Sequence, residues 1–342
     1  MPSCKLPTPP SVAEVEIRHV SDISQSLLTS DTPWVARGLA KHWRLVDAAT
    51  TTTEAGLAYL KSWYQGRPIN AFIAEPEIQG RFFYNDHLDG FNFTQLETAL
   101  DRVIDKLIAL RGQPKPAALY VGSTNVDAWL PGFRKENDLP LQHLDPLVSL
   151  WLGNRSRVAP HFDFPRNLAC CAVGKRRFTL FPPEQVDNLY VGPWDMTPAG
   201  QPISLVDTHA PDLARFPRFE AAWRDAQIAE LEPGDVIYIP GMWWHQVEAT
   251  DDINVLVNYW WSETPAVMGS PVDAFNHALL SIKSLPHQQK AAWRKFFDHY
   301  IFTDNPEQSV THIPPEQRGR LGAIDDAMAR RLRAELTNRL KR

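Results

Sequence analysis

Two side chains that can bind a metal, His161 and Asp163, stand two positions apart, just ahead of an apolar run that predicts a strand. Residues two apart in a strand point to the same face, so one imidazole and one carboxylate can reach the same ion. Two ligands rarely suffice for a catalytic transition metal. If the pair stood alone, a histidine that caps a strand and an aspartate that begins a turn would be the favoured interpretation.

A third candidate ligand, His245, lies in a later segment. There a Pro-Gly-Asp turn is followed by a buried strand and then by a strand of sequence WWHQVEA. Two histidines and one carboxylate on adjacent strands form the facial triad that holds non-haem Fe(II), with positions left open for substrate and oxygen. The order of the three residues and their placement on strands favour a metal site over a core histidine at position 245.

The run after the first pair predicts a β-hairpin whose turn is Gly174-Lys175, with glycine first as in a type II′ turn. This turn pairs Val173 with Arg176 on one face of the hairpin. If this face is the one that bears His161 and Asp163, Asn167 and Arg176 point into the barrel and Lys175 does not. An inward guanidinium requires an anion, and its planar fork matches a carboxylate. We therefore expect a metal that chelates a 2-oxo acid and a cation that binds the distal carboxylate, with a solvent-facing Arg176 as the alternative.

The strands that must position these residues are predicted in the middle of the chain. Residues 116–262 contain many short β-branched and aromatic runs separated by turns, which indicates an antiparallel sandwich or barrel. The proline-rich, aromatic segment 184–227 interrupts them and is typical of a substrate lid. Candidate walls of the substrate pocket are the aromatic residues Tyr190, Trp194, Trp243, Trp244 and Trp261. Alternation lets only one of the adjacent pair Trp243 and Trp244 point inward.

The flanking parts are predicted to be mixed or helical. Residues 1–115 form a mixed α/β region packed on the core, with a strand at 14–20 and helices at 52–65 and 92–112. In the second helix, Thr94 and Glu97 have the spacing of a capping box. Residues 263–342 are helical, and the apolar stripe of the last helix favours packing on its own domain or on a second subunit.

Composition narrows the class of protein. The 22% of charged residues is that of a globular chain, and the net charge of −5 gives no electrostatic reason to expect nucleic acid, which makes nucleic acid an unlikely partner. The first residues show no apolar run preceded by positive charge, so we expect neither a signal peptide nor a membrane anchor, and we expect a cytoplasmic protein that does not bind membranes. The three cysteines Cys4, Cys170 and Cys171 form no CxxC pair and are expected to be reduced.

The chain from 158 to 261 contains, in order, the motifs HFD, NLACCAVGKRRFTLFPPEQ, PGDVIYIPGMWWHQVEA and NVLVNYWW. This order resembles the cupin-like JmjC family of Fe(II)- and 2-oxoglutarate-dependent oxygenases. Within it, the sequence is most similar to the asparaginyl hydroxylase branch that acts on hypoxia-inducible factor and to its bacterial relatives. The resemblance implies a mainly β fold, with a double-stranded β-helix (jelly-roll) core and helical N-terminal and C-terminal regions. It also implies a homodimer formed through the C-terminal helices.

The resemblance implies roles for individual residues. The ligands of Fe(II) would be His161, Asp163 and His245. The residues around 2-oxoglutarate would be Tyr120, Asn167, Arg176 and Asn258, with Trp260 as an aromatic wall. Arg176 stands where the hydroxylase has a lysine, and Val158 stands where it has a threonine. The pose of the cosubstrate is therefore expected to differ more than its identity.

Three functions fit these observations. One is an oxygenase that uses Fe(II), 2-oxoglutarate and O2 to hydroxylate a protein side chain or a small molecule. Another is a metal-binding cupin enzyme that does not use 2-oxoglutarate, in which Arg176 has no role. A third is a non-catalytic binding module, against which the intact set of three ligands argues. The fold alone does not select the substrate.

Overall fold

The computed structural model describes residues 6–265 and 267–341, so Cys4 lies outside the described residues. The chain divides into two compact units, residues 1–262 and 263–342. The strands are β1 (Ala13–Glu14), β2 (Trp34–Ala36), β3 (Ile69–Ala74), β4 (Arg81–Phe82), β5 (Thr94–Thr98), β6 (Ala118–Asn125), β7 (Leu147–Gly153), β8 (Ser156–Phe162), β9 (Arg166–Val173), β10 (Arg176–Phe181), β11 (Gln227–Leu231), β12 (Val236–Ile239), β13 (Trp244–Ala249) and β14 (Asn254–Trp261). The helices are α1 (Gln25–Leu28), α2 (Arg44–Thr51), α3 (Thr53–Trp63), α4 (Leu100–Leu110), α5 (Val126–Trp129), α6 (Phe219–Arg224), α7 (Pro271–Ser281), α8 (His287–Tyr300) and α9 (Asp326–Leu340).

The first unit is built on two sheets. Within the described residues, the larger sheet has the strand order β1-β2-β12-β9-β14-β7-β6-β3-β5 and the smaller has the order β11-β10-β13-β8-β4. Neighbouring strands are antiparallel, except that β1 is parallel to β2 and β4 is parallel to β8. The predicted fold class, mainly β with flanking helices, is confirmed. Strands β2, β3 and β5 come from residues 1–115, so this region contributes to the same sheet as the later strands.

The central strands of the larger sheet are buried on both faces. Cys170 and Val257 on its outer face belong to a core shared with helices α2, α3 and α4, whereas Cys171 and Leu256 on its inner face pack between the sheets. Strands that are covered on both faces have nearly continuous apolar sequences, and β9 and β14 have such sequences. The two neighbouring cysteines are free and buried, and they point to opposite faces as predicted.

Two predicted elements in the N-terminal region differ from the structure. The predicted strand at 14–20 is reduced to Ala13–Glu14. The predicted helix at 92–112 begins only at Leu100, because Thr94–Thr98 forms a strand that pairs with Ile69–Ile73. The Thr94–Glu97 capping box is therefore wrong, since tertiary pairing overrides the local pattern. The helix predicted at 52–65 is confirmed as Thr53–Trp63.

The second unit is helical, as predicted, and contains α7, α8 and α9. Many of its large apolar side chains are exposed, among them Leu280, Phe296, Phe302, Leu336 and Leu340. Among the described residues, no helix combines the length and the apolar character that spanning a membrane would need.

Candidate active site

The three predicted metal ligands come together at one end of two neighbouring strands. Strands β8 and β13 are antiparallel, and His161 lies directly opposite His245, with 4.3 Å between the ring centroids. Asp163 follows the last residue of β8, and its Oδ2 lies 3.6 Å from Nε2 of His245. One ligand atom from each of the three side chains lies within 4.8 Å of the others. This cluster has the composition and spread of a facial metal triad.

The two imidazoles are oriented by backbone carbonyls. Nδ1 of His161 lies 2.9 Å from the carbonyl oxygen of Ala159, and Nδ1 of His245 lies 2.9 Å from that of Trp243. A carbonyl can only accept, so Nδ1 carries the proton in each ring and Nε2 keeps its lone pair for a metal. Burial, and then the neighbouring His245, lower the pKa of His161 to about 4. The ring is therefore neutral near pH 7, which is the form that binds metals.

The turn before β13 holds the carboxylate ligand in place. The backbone N–H of Met242 donates to the carbonyl oxygen of Asp163 over 2.7 Å. A side chain at Gly241 would put its Cβ 2.5 Å from the carbonyl oxygen of Phe164, so the turn packs on the segment after β8 only because residue 241 is glycine. The ends of the two ligand-bearing strands are thereby tied together.

A bulge in β8 brings an additional residue into the site. His245 faces His161 and Val247 faces Val158, so three steps along β8 match two steps along β13. Strict alternation would put Val158 and His161 on opposite faces, but both line the same cavity. The carbonyl oxygen of Pro160, inside the bulge, accepts a hydrogen bond of 2.7 Å from the backbone N–H of Ser204.

The triad opens into a cavity of about 290 Å³ between the two sheets. This volume lies near the lower end of the range of small-molecule sites. Ser123 and Gly200 are its exposed lining residues and mark the mouth. The other lining residues are Phe72, Phe82, Phe93, Tyr120, Gly122, Trp151, Val158, Ala159, His161, Asp163, Asn167, Arg176, Phe178, Pro198, Ala199, Ile203, His245, Val247, Leu256, Asn258 and Trp260.

Arg176 is the buried cation of this cavity. Only 3% of the residue is exposed, and its Nε has no hydrogen-bond partner. Among the described residues, no carboxylate lies within ion-pair distance of its guanidinium. Burial lowers the pKa of Arg176, but an arginine remains charged at neutral pH. A buried, unpaired guanidinium in a cavity indicates that an anion binds there.

The hairpin predicted around Arg176 is wrong in its pairing. Strand β9 belongs to the larger sheet and β10 to the smaller, so the turn at Gly174 carries the chain from one sheet to the other. Gly174 has a φ of +69°, and a Cβ there would overlap the carbonyl oxygen of Ile253. A register shift in the pairing of β9 with β14 turns Val173 to the outer face, away from its predicted position. Lys175 points outward and pairs with Glu232 at 2.8 Å.

The other predicted cosubstrate residues also line the cavity. Nδ2 of Asn258 donates to Oδ1 of Asn167 over 2.8 Å, which leaves Oδ1 of Asn258 buried without a partner. Burial raises the pKa of Tyr120, so its hydroxyl stays protonated and can donate to an anion. The Tyr120 ring stacks on Trp151 with 5.8 Å between centroids.

Of the predicted pocket residues, Trp260 lines the cavity and the others do not. The indole N–H of Trp243 donates to the carbonyl oxygen of Asp31 over 3.0 Å, inside the core between the sheets. Trp244 points to the opposite face and packs on Phe162, with 4.8 Å between ring centroids. Of this adjacent pair, then, only Trp243 points inward, as alternation predicts, and it is used in packing.

Three further aromatic residues lie outside the cavity wall. Tyr190 accepts a hydrogen bond of 2.9 Å from the backbone N–H of Arg218, and Trp194 is 44% exposed. Trp261 faces the outer core of the larger sheet, where it packs near Tyr238. The segment that carries Tyr190 and Trp194 reaches the cavity through Pro198, Ala199, Gly200 and Ile203 instead. Its motion as a lid stays a prediction.

Several lining residues were missed by the sequence analysis. Trp151 lies on β7 next to Leu152, which points to the outer face of the sheet. Side-chain alternation along this strand could therefore have predicted that Trp151 points inward. Phe93 was hidden because its segment was interpreted as the start of a helix. Phe72 and Phe82 come from strands β3 and β4 of the N-terminal region, and nothing local in the sequence connects them to the triad.

The comparisons with known proteins agree with this geometry. Residues 20–267 match the family model described as a cupin-like domain. The chain therefore belongs to the cupin-like family, in its JmjC-type branch, which is related to Fe(II)- and 2-oxoglutarate-dependent oxygenases.

Each of the individual relatives matches about one third of this chain. HSPB1-associated protein 1 of Homo sapiens is 38% identical over 116 residues, which are 33% of this chain and 23% of that protein. Lysine-specific demethylase JMJ31 of Arabidopsis thaliana is 32% identical over 115 residues, 33% of this chain and 20% of that protein. The tRNA wybutosine-synthesizing protein 5 of Mus musculus is 31% identical over 117 residues, 34% of each chain. The matched part thus spans between a fifth and about a third of these relatives.

Proposed function

We propose that the protein is an Fe(II)- and 2-oxoglutarate-dependent oxygenase that hydroxylates an uncharacterised protein side chain or small molecule. One observation carries the choice of cosubstrate: the buried, unpaired Arg176 shares a cavity with the metal triad. A metal-binding cupin that does not use a 2-oxo acid would have no use for this cation, whose burial is unfavourable without an anion.

The donor set fits Fe(II). The Nε2 atoms of His161 and His245 carry no proton, because the proton of each ring is on Nδ1 and is donated to a backbone carbonyl. Asp163 supplies the carboxylate of a facial triad. When bound, Fe(II) and O2 would supply the oxidising chemistry that the side chains of the cavity lack.

The spacing of the triad and the cation fits a dicarboxylate with a short chain. On β10, Leu180 lies opposite His245, and Arg176 lies four residues before it. Four residues of a strand span about 13 Å, of which the long arginine side chain covers a part. A five-carbon keto-acid can therefore bind the metal with its 2-oxo end and Arg176 with its distal carboxylate. Bidentate hydrogen bonds from Arg176 and a single one from Tyr120 would fix the distal end.

The remaining residues of the site would orient groups and exclude water. Val158 and Phe178 cover the path between metal and cation with apolar surface. Asn167 and Asn258 form a hydrogen-bonded pair on the facing sheet, and Trp260 closes the wall beside them. This enclosure would keep bulk water from the reacting centre until a substrate binds.

A spectroscopic titration tests the proposal. The Fe(II)-loaded protein should develop a visible metal-to-ligand charge-transfer band when 2-oxoglutarate is added without oxygen, and should form succinate in air. A metal-loaded protein that shows neither the band nor succinate would overturn the use of 2-oxoglutarate and leave the alternative cupin enzyme.

We also propose that the protein forms a homodimer through its C-terminal helices. The support is the exposed apolar surface of this unit, which includes Leu280 and Phe296. Sedimentation equilibrium of the full chain should give twice the monomer mass, and replacing both residues with glutamate should give the monomer mass. A wild-type monomer at micromolar concentration would contradict this proposal.

A further inference from the structure

The positive and negative charges in the cavity balance one another once metal and cosubstrate are bound. Among the described lining residues, the side chains with a carboxylate, guanidinium or imidazole group are the three ligands and Arg176. This accounting rests on the proposed function. The charges of Fe(II) and Arg176 are then balanced by Asp163 and the two carboxylates of 2-oxoglutarate. A substrate group therefore enters a site in which the described lining residues offer no free carboxylate to receive a cation.

The space left for a substrate is uncharged. Its mouth is formed by Ser123 and Gly200, and Ile203 and Phe93 line the cavity as well. The bulge in β6, where Val121 faces Leu152 and Thr124 faces Leu150, brings Gly122 and Ser123 to the cavity together. None of the side chains here can neutralise an ammonium group.

Neutral hydrogen-bonding groups are nevertheless available. The indole N–H groups of Trp151 and Trp260 are buried without partners, and so is Oδ1 of Asn258. All three residues line the cavity. Buried donors and acceptors without partners are unfavourable, so a bound molecule with neutral polar atoms would satisfy them.

The aromatic residues are poorly arranged to bind a cation by their faces. The ring of Tyr120 stacks on Trp151, and Trp151 meets Trp260 nearly at right angles, with 5.9 Å between centroids. Phe82 packs on Tyr120 at 5.5 Å. The stacking of Tyr120 on Trp151 covers one face of each ring, whereas a cation–π site needs open faces.

We infer that the group presented to the metal is uncharged, either an alkyl chain or one with neutral polar atoms, and that the alkylammonium group of a lysine or a methylated lysine is excluded. This distinguishes the site from the activity named in the lysine-specific demethylase relatives. The physical reason is that an unpaired buried charge is far more unfavourable than a neutral group of the same shape.

A pair of probes with equal shape and different charge tests this inference. Choline and 3,3-dimethylbutan-1-ol differ in the replacement of a quaternary nitrogen by carbon. Each is titrated into the anaerobic complex of the protein with Fe(II) and 2-oxoglutarate, and the shift of the charge-transfer band gives the dissociation constant. The neutral alcohol should bind more tightly than choline by about tenfold or more. In Ser123→Asp, a carboxylate at the mouth should move this ratio toward choline.

The outcomes separate the two proposals. Tighter binding of choline, or no binding of either probe, would overturn the uncharged-substrate inference while the band itself preserves the use of 2-oxoglutarate. Absence of the band would overturn the proposed function instead. A ratio that Ser123→Asp leaves unchanged would show that the probes do not bind in this cavity, and that result would also overturn the inference.

Discussion

Replacing Arg176 with methionine is expected to weaken cosubstrate binding without lowering the stability of the protein. In the ligand-free protein, the guanidinium is buried and lacks an ion-pair partner among the described residues, and burial lowers its pKa. An apolar side chain of similar length removes an unpaired buried charge. We therefore expect the free energy of unfolding of Arg176→Met to equal or exceed that of the wild type.

Cosubstrate affinity should fall steeply in the same variant. The distal carboxylate of 2-oxoglutarate would then be buried without its cation, and breaking one partner of a buried ion pair typically costs about 3–5 kcal/mol. At about 1.4 kcal/mol per factor of ten, the dissociation constant should rise by roughly two to three and a half orders of magnitude. The affinity for Fe(II) should stay close to that of the wild type, since Arg176 is not among the clustered ligands.

The neighbouring lysine provides a matched control. Lys175 carries the same charge one residue earlier but points outward, where its exposed pair with Glu232 contributes little. Lys175→Met should leave both affinities unchanged. Anaerobic titration monitored by the charge-transfer band gives the cosubstrate affinity, and chemical denaturation gives stability. An equal loss of metal and cosubstrate affinity in Arg176→Met, or a cosubstrate loss as large in Lys175→Met, would refute the placement of the clamp.

Three further outcomes are expected. His245→Ala should abolish stoichiometric Fe(II) binding measured by calorimetry, whereas His209→Ala, outside the cluster, should retain it; retained binding in the first variant would contradict the triad. Gly174→Val should lower the melting temperature by several degrees, because φ is +69° and a Cβ would overlap the Ile253 carbonyl; an unchanged value would contradict this packing. Burial alone would raise the pKa of Glu248, but its interactions with His209, together with smaller ones from Gln246 and Arg177, outweigh burial and lower this pKa below the usual 4.5. The stability from this shift is present above pH 4.5 and is lost as pH falls through the lower folded value, so Glu248→Gln should flatten the pH dependence of unfolding in that range.

Local patterns in the sequence were sufficient to predict the cluster of candidate metal ligands. His161 and Asp163 are two apart at a strand end, and His245 follows a recognisable turn and strand, so side-chain alternation alone could align them. The helix over Thr53–Trp63 was equally readable, since its apolar residues repeat with helical spacing. These features depend on periods of two to four residues, which a linear sequence displays directly.

Tertiary structure decided where the same local patterns were ambiguous. Thr94 and Glu97 have the spacing of a capping box, but their segment is taken by the edge of a sheet whose partner strand begins at Ile69. Gly174 indicates a tight turn in either case, and only the packing of two sheets shows that the turn connects them. Arg176 points into the cavity as predicted, although the pairing of Val173 with Arg176 behind that prediction does not exist. Its strand lies in the opposite sheet, where side chains alternate between the two faces in the same way.

Local sequence patterns predicted the class of fold, the cluster of three candidate metal ligands and a cation near them. The shape of the space around the ligands was decided only by contacts between distant segments. Phe72, Phe82 and Trp151 enclose the cavity from three different strands, and Ala199 reaches it from the long segment after β10. A cavity is the volume that packed elements leave unfilled, so its walls depend on sheet pairing and bulges that no short stretch of sequence encodes.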